Sequence, residues 1–282
     1  MAHHEHSDAG NVDVDGAPAV IAGPHPLSMV YGGGGVFGIG YCVGVAHGLA
    51  AAGVPVATAP ALGTSAGSWA ASVVALGIDY DDVASMEAPS VPNRQRGVLA
   101  KVARSVFDGA THPLVSVSAV CVRTRRRHIL DGGRYPLADL VAASSAVPGL
   151  LPPHRIDGRL YIDGGMWSVT SIDAAADAEE VIVVAPLAGP HMGPMGRGAG
   201  FMLERELRAW RRRHPDRRIT LIRPNHQIAA HAGRNPMNLF EADRARAVYP
   251  LAVQQGARWA ARLRAAPDPG SDRPEVASVR SG

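Results

Sequence analysis

Apolar and polar positions along the chain change period several times, and each change predicts an element. Residues 27–31 (LSMVY) form a short, β-rich apolar run. A glycine cluster follows, then a helical stretch from about Ile39 to Ala52 closed by Gly53 and Pro55. The next unit repeats this order: an extended segment ending near Leu62, a serine-bearing turn, and a helix from about Ala66 to Leu76 ended by Gly77. Residues 115–122 (VSVSAVCV) are the clearest strand, 137–145 read as a helix ahead of Pro148, and 160–162 and 180–185 read as strands. A helix over 201–212, a strand over 218–222 and a long helix within 239–263 complete the pattern. Alternation of this kind predicts an α/β fold with a mostly parallel sheet covered by helices on both faces. No internal repeat or interdomain linker intervenes, so one domain is expected over 24–265, with loose tails at 1–23 and 266–282. Residues 79–111 read as irregular and polar. The stretch 188–200 (AGPHMGPMGRGAG) reads as a glycine-rich loop, either a lid or a plain surface connection.

Composition narrows the setting. A chain of 282 residues, 46% hydrophobic and 19% charged, is expected to be soluble and is long enough for one substantial core. No Asp, Glu, Lys or Arg occurs from Gly16 to Ile78. Glycine and proline nevertheless break that stretch too often for the roughly 18 uninterrupted apolar residues of a membrane helix, so it is expected to form well-buried strands and helices. The N-terminal stretch has neither the basic nor the apolar region of a signal peptide, which predicts a cytoplasmic protein, peripheral to membranes at most. A formal charge of +3 is too modest to imply a nucleic-acid partner. Of the 28 basic residues only Lys101 is lysine. Arginines cluster at Arg123, Arg125, Arg126 and Arg127 and again from Arg211 to Arg218, as a solvated surface or, alternatively, a contact for anionic lipid headgroups. Cys42 and Cys121 lie in apolar runs and are expected to be buried free thiols. His3, His4 and His6 have nothing nearby to fold around an ion, and no metal is expected.

The candidate chemistry lies in two glycine-rich stretches. Gly63-Thr64-Ser65-Ala66-Gly67 has the spacing of a nucleophile elbow, in which small neighbours tolerate a strained turn and leave the serine hydroxyl at the carboxyl edge of a sheet. The earlier cluster, YGGGGVFGIG, matches a dinucleotide fingerprint at Gly33, Gly35 and Gly38. That site needs an acidic residue about 20 positions on to hold the ribose, and no acid occurs before Asp79. No Lys-Ser or Lys-Thr pair closes a phosphate loop either, so no cofactor is expected. The cluster offers instead unshielded backbone N–H groups at the start of a helix, with Gly33, Gly34 and Gly35 as candidate oxyanion donors. The base for Ser65 has several candidates by residue type. His226 or His231 would serve a hydrolase-type triad, although neither precedes an evident helix; an aspartate acting directly would come from Asp131-Gly132-Gly133 or Asp163-Gly164-Gly165.

Four motifs in order resemble the patatin-like phospholipases, lipid acyl hydrolases with a Ser-Asp dyad: the glycine-rich Gly32 to Gly38, the elbow Gly63 to Gly67, the stretch Ser144-Ser145-Ala146-Val147-Pro148, and Asp163 to Gly165. The similarity runs from about Met29 to Trp167. It implies a three-layer α/β/α fold, Ser65 as nucleophile, Asp163 as general base, no cofactor, and a lipid or phospholipid acyl ester as substrate. One position departs from the family pattern. Phe37 stands where a basic residue usually precedes the last glycine of the oxyanion motif, so it would either form an apolar wall for an acyl chain or pack in the core. A catalytically silent lipid-binding module is the alternative that this replacement suggests.

Overall fold

The computed structural model describes residues 24–233 and 235–265; the expected tails and the N-terminal histidines lie outside the described residues. The chain begins with β1 (His25–Tyr31), α1 (Gly35–Ala51), β2 (Ala61–Thr64), α2 (Ala66–Leu76), α3 (Tyr80–Ala84) and α4 (Val98–Phe107). It continues through β3 (Val115–Cys121), β4 (Arg127–Asp131), α5 (Leu137–Ser144), β5 (His154–Ile156), β6 (Arg159–Asp163) and β7 (Ala178–Val184). The described chain closes with α6 (Gly193–Arg213), β8 (Arg218–Ile222), α7 (His226–Ala232) and α8 (Ala242–Ala265).

Strands β3, β2, β1, β7 and β8 are parallel neighbours, and β4, β5 and β6 extend the sheet in antiparallel pairs. Alternation along β1 sends side chains to two cores, because successive strand residues face opposite sides. Leu27, Met29 and Tyr31 join α1, α2, α5 and α8 in the larger core. Val30 joins Val181, Val183 and the buried face of α6, formed by Leu203, Leu207 and Trp210. Helices therefore cover both faces, giving the expected α/β/α layering. Helix α1 is buried on nearly every side, and its Gly40, Gly44 and Gly48, one turn apart, meet α8. A Cβ at Gly48 would lie 2.0 Å from the Val253 carbonyl oxygen, so these positions allow the two helix backbones to touch.

The register around β3 sets the chemistry. β2 runs parallel to β3 and ends with Thr64 opposite Ser118. β6 runs antiparallel and ends with Asp163 opposite Ala119. β4 covers β3 across residues 116–120 on its other side, so β2 and β6 share one side of β3 and meet end to end. Ser65 and Asp163 are the residues at that meeting point.

Beyond the short β4 and β5, which the sequence pattern does not predict, two stretches read as irregular are helical. Residues 79–111 contain α3 and the amphipathic α4, whose Leu99, Ala100, Ala103 and Phe107 are buried. Residues 193–200 begin α6 instead of forming a loop. Their glycines disfavour helix intrinsically, but a Cβ at Gly196 would lie 2.8 Å from the Gly189 carbonyl oxygen, and close packing outweighs that propensity. Both cysteines are free and buried. Among the described residues, no helix is long and apolar enough to cross a membrane.

Candidate active site

Ser65 sits between β2 and α2 at φ 53° and ψ −121°, in left-handed backbone that costs a non-glycine residue about 1–3 kcal/mol. The strain is held by named contacts. The Ser65 amide donates to Ser144 Oγ at 2.8 Å, and Ser144 Oγ donates to the Ser118 carbonyl at 2.7 Å. The Ser65 carbonyl accepts from Ser68 Oγ at 2.6 Å. Gly63 and Gly67 are required by close approach, since a Cβ at Gly67 would fall 1.9 Å from the Tyr31 carbonyl oxygen and one at Gly63 2.4 Å from Ser68 Cα.

Asp163 ends β6 and is 5% exposed. Its Oδ1 accepts from the Gly165 amide at 2.6 Å, and its own amide donates to the Ala146 carbonyl at 3.0 Å. Burial pushes the carboxyl up to about 6, while hydrogen bonding from the Ser65 hydroxyl and the Gly165 amide partly opposes that rise. The stretch 144–146 thus brackets the site, with Ser144 fixing the serine turn and Ala146 the aspartate. Nothing in the sequence around Ser144 marks it as the clamp on the serine turn; only its hydrogen bonds to Ser65 and Ser118 do.

The other Asp-Gly-Gly shows why local sequence was insufficient. Asp131 makes the same turn, with Oδ1 accepting from the Gly133 amide at 2.8 Å. It is exposed, however, and pairs with Ser116, three residues from Ala119 along β3. The same motif therefore gives one solvated turn and one buried acid.

The glycine loop lies over the serine, and a Cβ at Gly33 would be 3.4 Å from Ser65 Cβ. The Gly33 amide donates to the Val169 carbonyl at 2.9 Å. The amides of Gly35 and Val36 open α1, where an N–H has no acceptor within its own helix, and Gly34 is the residue capping that end. Gly35 has φ +62°, and a Cβ there would meet the Leu239 carbonyl oxygen at 2.7 Å, which fixes glycine at this corner. Phe37 is fully buried in the larger core, so the packing alternative describes it.

An apolar cleft opens at Ser65, with Val36, Trp69, Val91, Leu99, Leu151 and Phe240 on its walls. Its serines are Ser65 and Ser145, and Ser145 Oγ accepts from Trp69 Nε1 at 3.2 Å. A second apolar hollow, no larger than a water molecule, lies under Tyr80 and Val83 and shares Val36, Ile39, Met86 and Ala88 with the cleft. His226 and His231 both lie on α7, where the His226 ring stacks edge-on against His191 at 5.4 Å.

The fold and this arrangement are those of an α/β/α protein with a strained serine and a buried carboxyl side by side at the strand ends. The family model described as patatin-like phospholipase matches residues 88–176, which contain the 144–148 stretch and Asp163 but not the elbow or the glycine loop. Uncharacterized NTE family proteins of Mycobacterium tuberculosis and Mycobacterium bovis are each 37% identical to this chain over 62 residues. Those matches cover 22% of this chain and 17% of the length of each relative. Over those residues the chain is similar to the patatin-like phospholipases.

Proposed function

We propose that the protein hydrolyses carboxylic esters of lipids through a Ser65–Asp163 dyad and an acyl-enzyme. The observation that carries this reading is the buried Asp163 carboxyl facing the Ser65 hydroxyl at the mouth of an apolar cleft. Asp163 takes the Ser65 proton as Oγ attacks the ester carbonyl. The amides of Gly34 and Gly35 then meet the oxyanion; Gly33 contributes by placing the loop, its own N–H being engaged by Val169. The protonated Asp163 delivers its proton to the departing alcohol, leaving the acyl group on Ser65. Water, deprotonated by Asp163, attacks the acyl-enzyme; the fatty acid leaves and the proton returns to Ser65. The apolar walls favour an acyl chain over a polar substrate, and membrane lipids are the natural source of such chains.

The test is hydrolysis of nitrophenyl esters of graded chain length by the parent protein, Ser65→Ala, and a His226→Gln/His231→Gln double variant. Activity is expected to peak at medium or long chains, to vanish in Ser65→Ala, and to persist in the double histidine variant. Loss in the histidine variant would assign the base to α7. A parent protein that binds fatty acid without turning over any ester would indicate a silent lipid-binding module.

Met86 lines the cleft that opens at Ser65, so a larger side chain there would shorten the space for an acyl chain. Met86→Trp is expected to suppress turnover of long-chain esters roughly tenfold or more while short-chain esters are little changed, from the cost of overfilling a packed site. The ratio of kcat/KM between long and short nitrophenyl esters measures it.

A further inference from the structure

Large apolar side chains are exposed beside the site, and they are not scattered. Met166 and Trp167, immediately after the Asp163 turn, are 61% and 45% exposed. Phe201 and Met202 on α6 are 64% and 53% exposed. The two pairs are tied together, because Ser168 Oγ donates to Glu206 at 2.8 Å and Met202 lies one turn before Glu206 on the same flank of α6. On the outward face of α6, Arg205 and Arg208 follow Phe201 at helical spacing, opposite the buried Leu203, Leu207 and Trp210. On the other side, the Arg127 guanidinium lies 5.8 Å from the Trp167 ring, which places Trp167 beside the turn between β3 and β4. That turn follows the carboxyl end of β3, the same end at which β2 presents Ser65.

Charge decides what this surface fits. Arg127 is buried and makes a two-pronged ion pair with Asp173, at 2.6 and 2.7 Å, so it is structural. Arg125 and Arg126 in the turn and Arg205 and Arg208 on α6 are exposed, and none has an ion-pair partner among the described residues. Apolar tips flanked by unpaired guanidiniums suit a surface with phosphate above and hydrocarbon beneath. A nucleic acid would use the arginines but leave Phe201 and Met202 without a role, and a neutral protein groove would leave the arginines unpaired.

We propose that the edge formed by Met166, Trp167, Phe201 and Met202, with Arg125 and Arg126 on one side and Arg205 and Arg208 on the other, docks on anionic lipid bilayers. The proposal deepens the lipid-ester reading, because docking there presents the Ser65 cleft to the membrane from which an acyl chain would be drawn.

Sedimentation with vesicles of mixed phosphatidylglycerol and phosphatidylcholine, using Ser65→Ala protein so that no lipid is consumed, tests it. Binding is expected to the mixed vesicles, to weaken at high salt, and to be nearly absent with phosphatidylcholine alone. Phe201→Ser/Met202→Ser and Arg205→Glu/Arg208→Glu should each weaken it roughly tenfold or more, since each basic residue near an anionic surface contributes a several-fold factor. Both pairs are exposed, and unchanged hydrolysis of a soluble short-chain ester in the Ser65 background shows that fold and site are intact. Absence of binding to anionic vesicles, or binding by both pair variants as tight as that of the unsubstituted surface, overturns the docking surface. Tighter binding to a DNA duplex than to vesicles, lost with the arginines but not with Phe201 and Met202, overturns it in favour of nucleic acid. Failure of ester hydrolysis with vesicle binding retained would instead remove the catalytic reading and leave the surface standing.

Discussion

Asp163→Asn is expected to abolish ester hydrolysis and at the same time to make the protein more stable at neutral pH. The loss of activity follows from removing the base, an effect of roughly 100- to 10,000-fold. The gain in stability follows from burial. The carboxyl has an ordinary value of 3.8 and is pushed up to about 6 in the fold, chiefly because burial penalises its charged form. The native state therefore binds this proton more tightly than the unfolded chain does, and stability falls as pH rises from about 4 to 6. Above that window the ionised group costs about 3 kcal/mol, from roughly two units at 1.36 kcal/mol each. Asparagine keeps an oxygen for the Gly165 amide and carries no charge. Denaturant unfolding at pH 8 should show Asp163→Asn more stable than the parent by about 1–3 kcal/mol, with the difference gone near pH 4. Equal stability at both pH values would mean that burial does not penalise the ionised carboxylate. The same titration predicts that kcat/KM of the parent rises with pH through about 6, since only the ionised carboxylate accepts the Ser65 proton.

Gly67→Ala is expected to cost about 3 kcal/mol or more and to remove activity with it. The added methyl carbon would lie 1.9 Å from the Tyr31 carbonyl oxygen and 2.3 Å from its carbon. Neither atom can withdraw, because β1 is held by β2 on one side and β7 on the other. Helix α2 must therefore move, and Ser65, as its cap, moves with it away from Asp163. Gly109 is the control, with nothing within 4 Å of an added Cβ. Gly109→Ala should stay within about 0.5 kcal/mol of the parent. A Gly67→Ala protein that unfolds at the parent's denaturant midpoint would show that the elbow tolerates a side chain and that its glycines are not a packing requirement.

Much of the layout was legible because it is local. Alternation in β1 and β3, the glycine that ends α2, and the elbow spacing all describe backbone a few residues at a time, and the folded chain has those elements. Helix α4 was legible in principle, since its buried Leu99, Ala103 and Phe107 recur at helical spacing, but the polar residues around them masked it. The short β4 and β5 and the start of α6 were not. Arginines precede β4 and glycines fill the first turns of α6, and in each case packing against a distant element outweighs the local preference.

The sequence by itself determined which residue types stand ready: a serine in a strained turn, glycine amides at a helix start, and two aspartates in identical turns. Tertiary structure decided between the aspartates. Pairing with β3 buries Asp163 at the end of β2 and leaves Asp131 in solvent at Ser116, a matter of strand direction and register that no local motif encodes. It also committed the Gly33 amide to Val169 while Gly35 opens α1, and turned Ser144 and Ala146 into a bracket for the serine and the acid. The physical reason is the same in each case. Hydrogen-bonding capacity belongs to a residue, whereas its partner, its burial and the acidity that burial sets belong to neighbours brought from elsewhere in the chain.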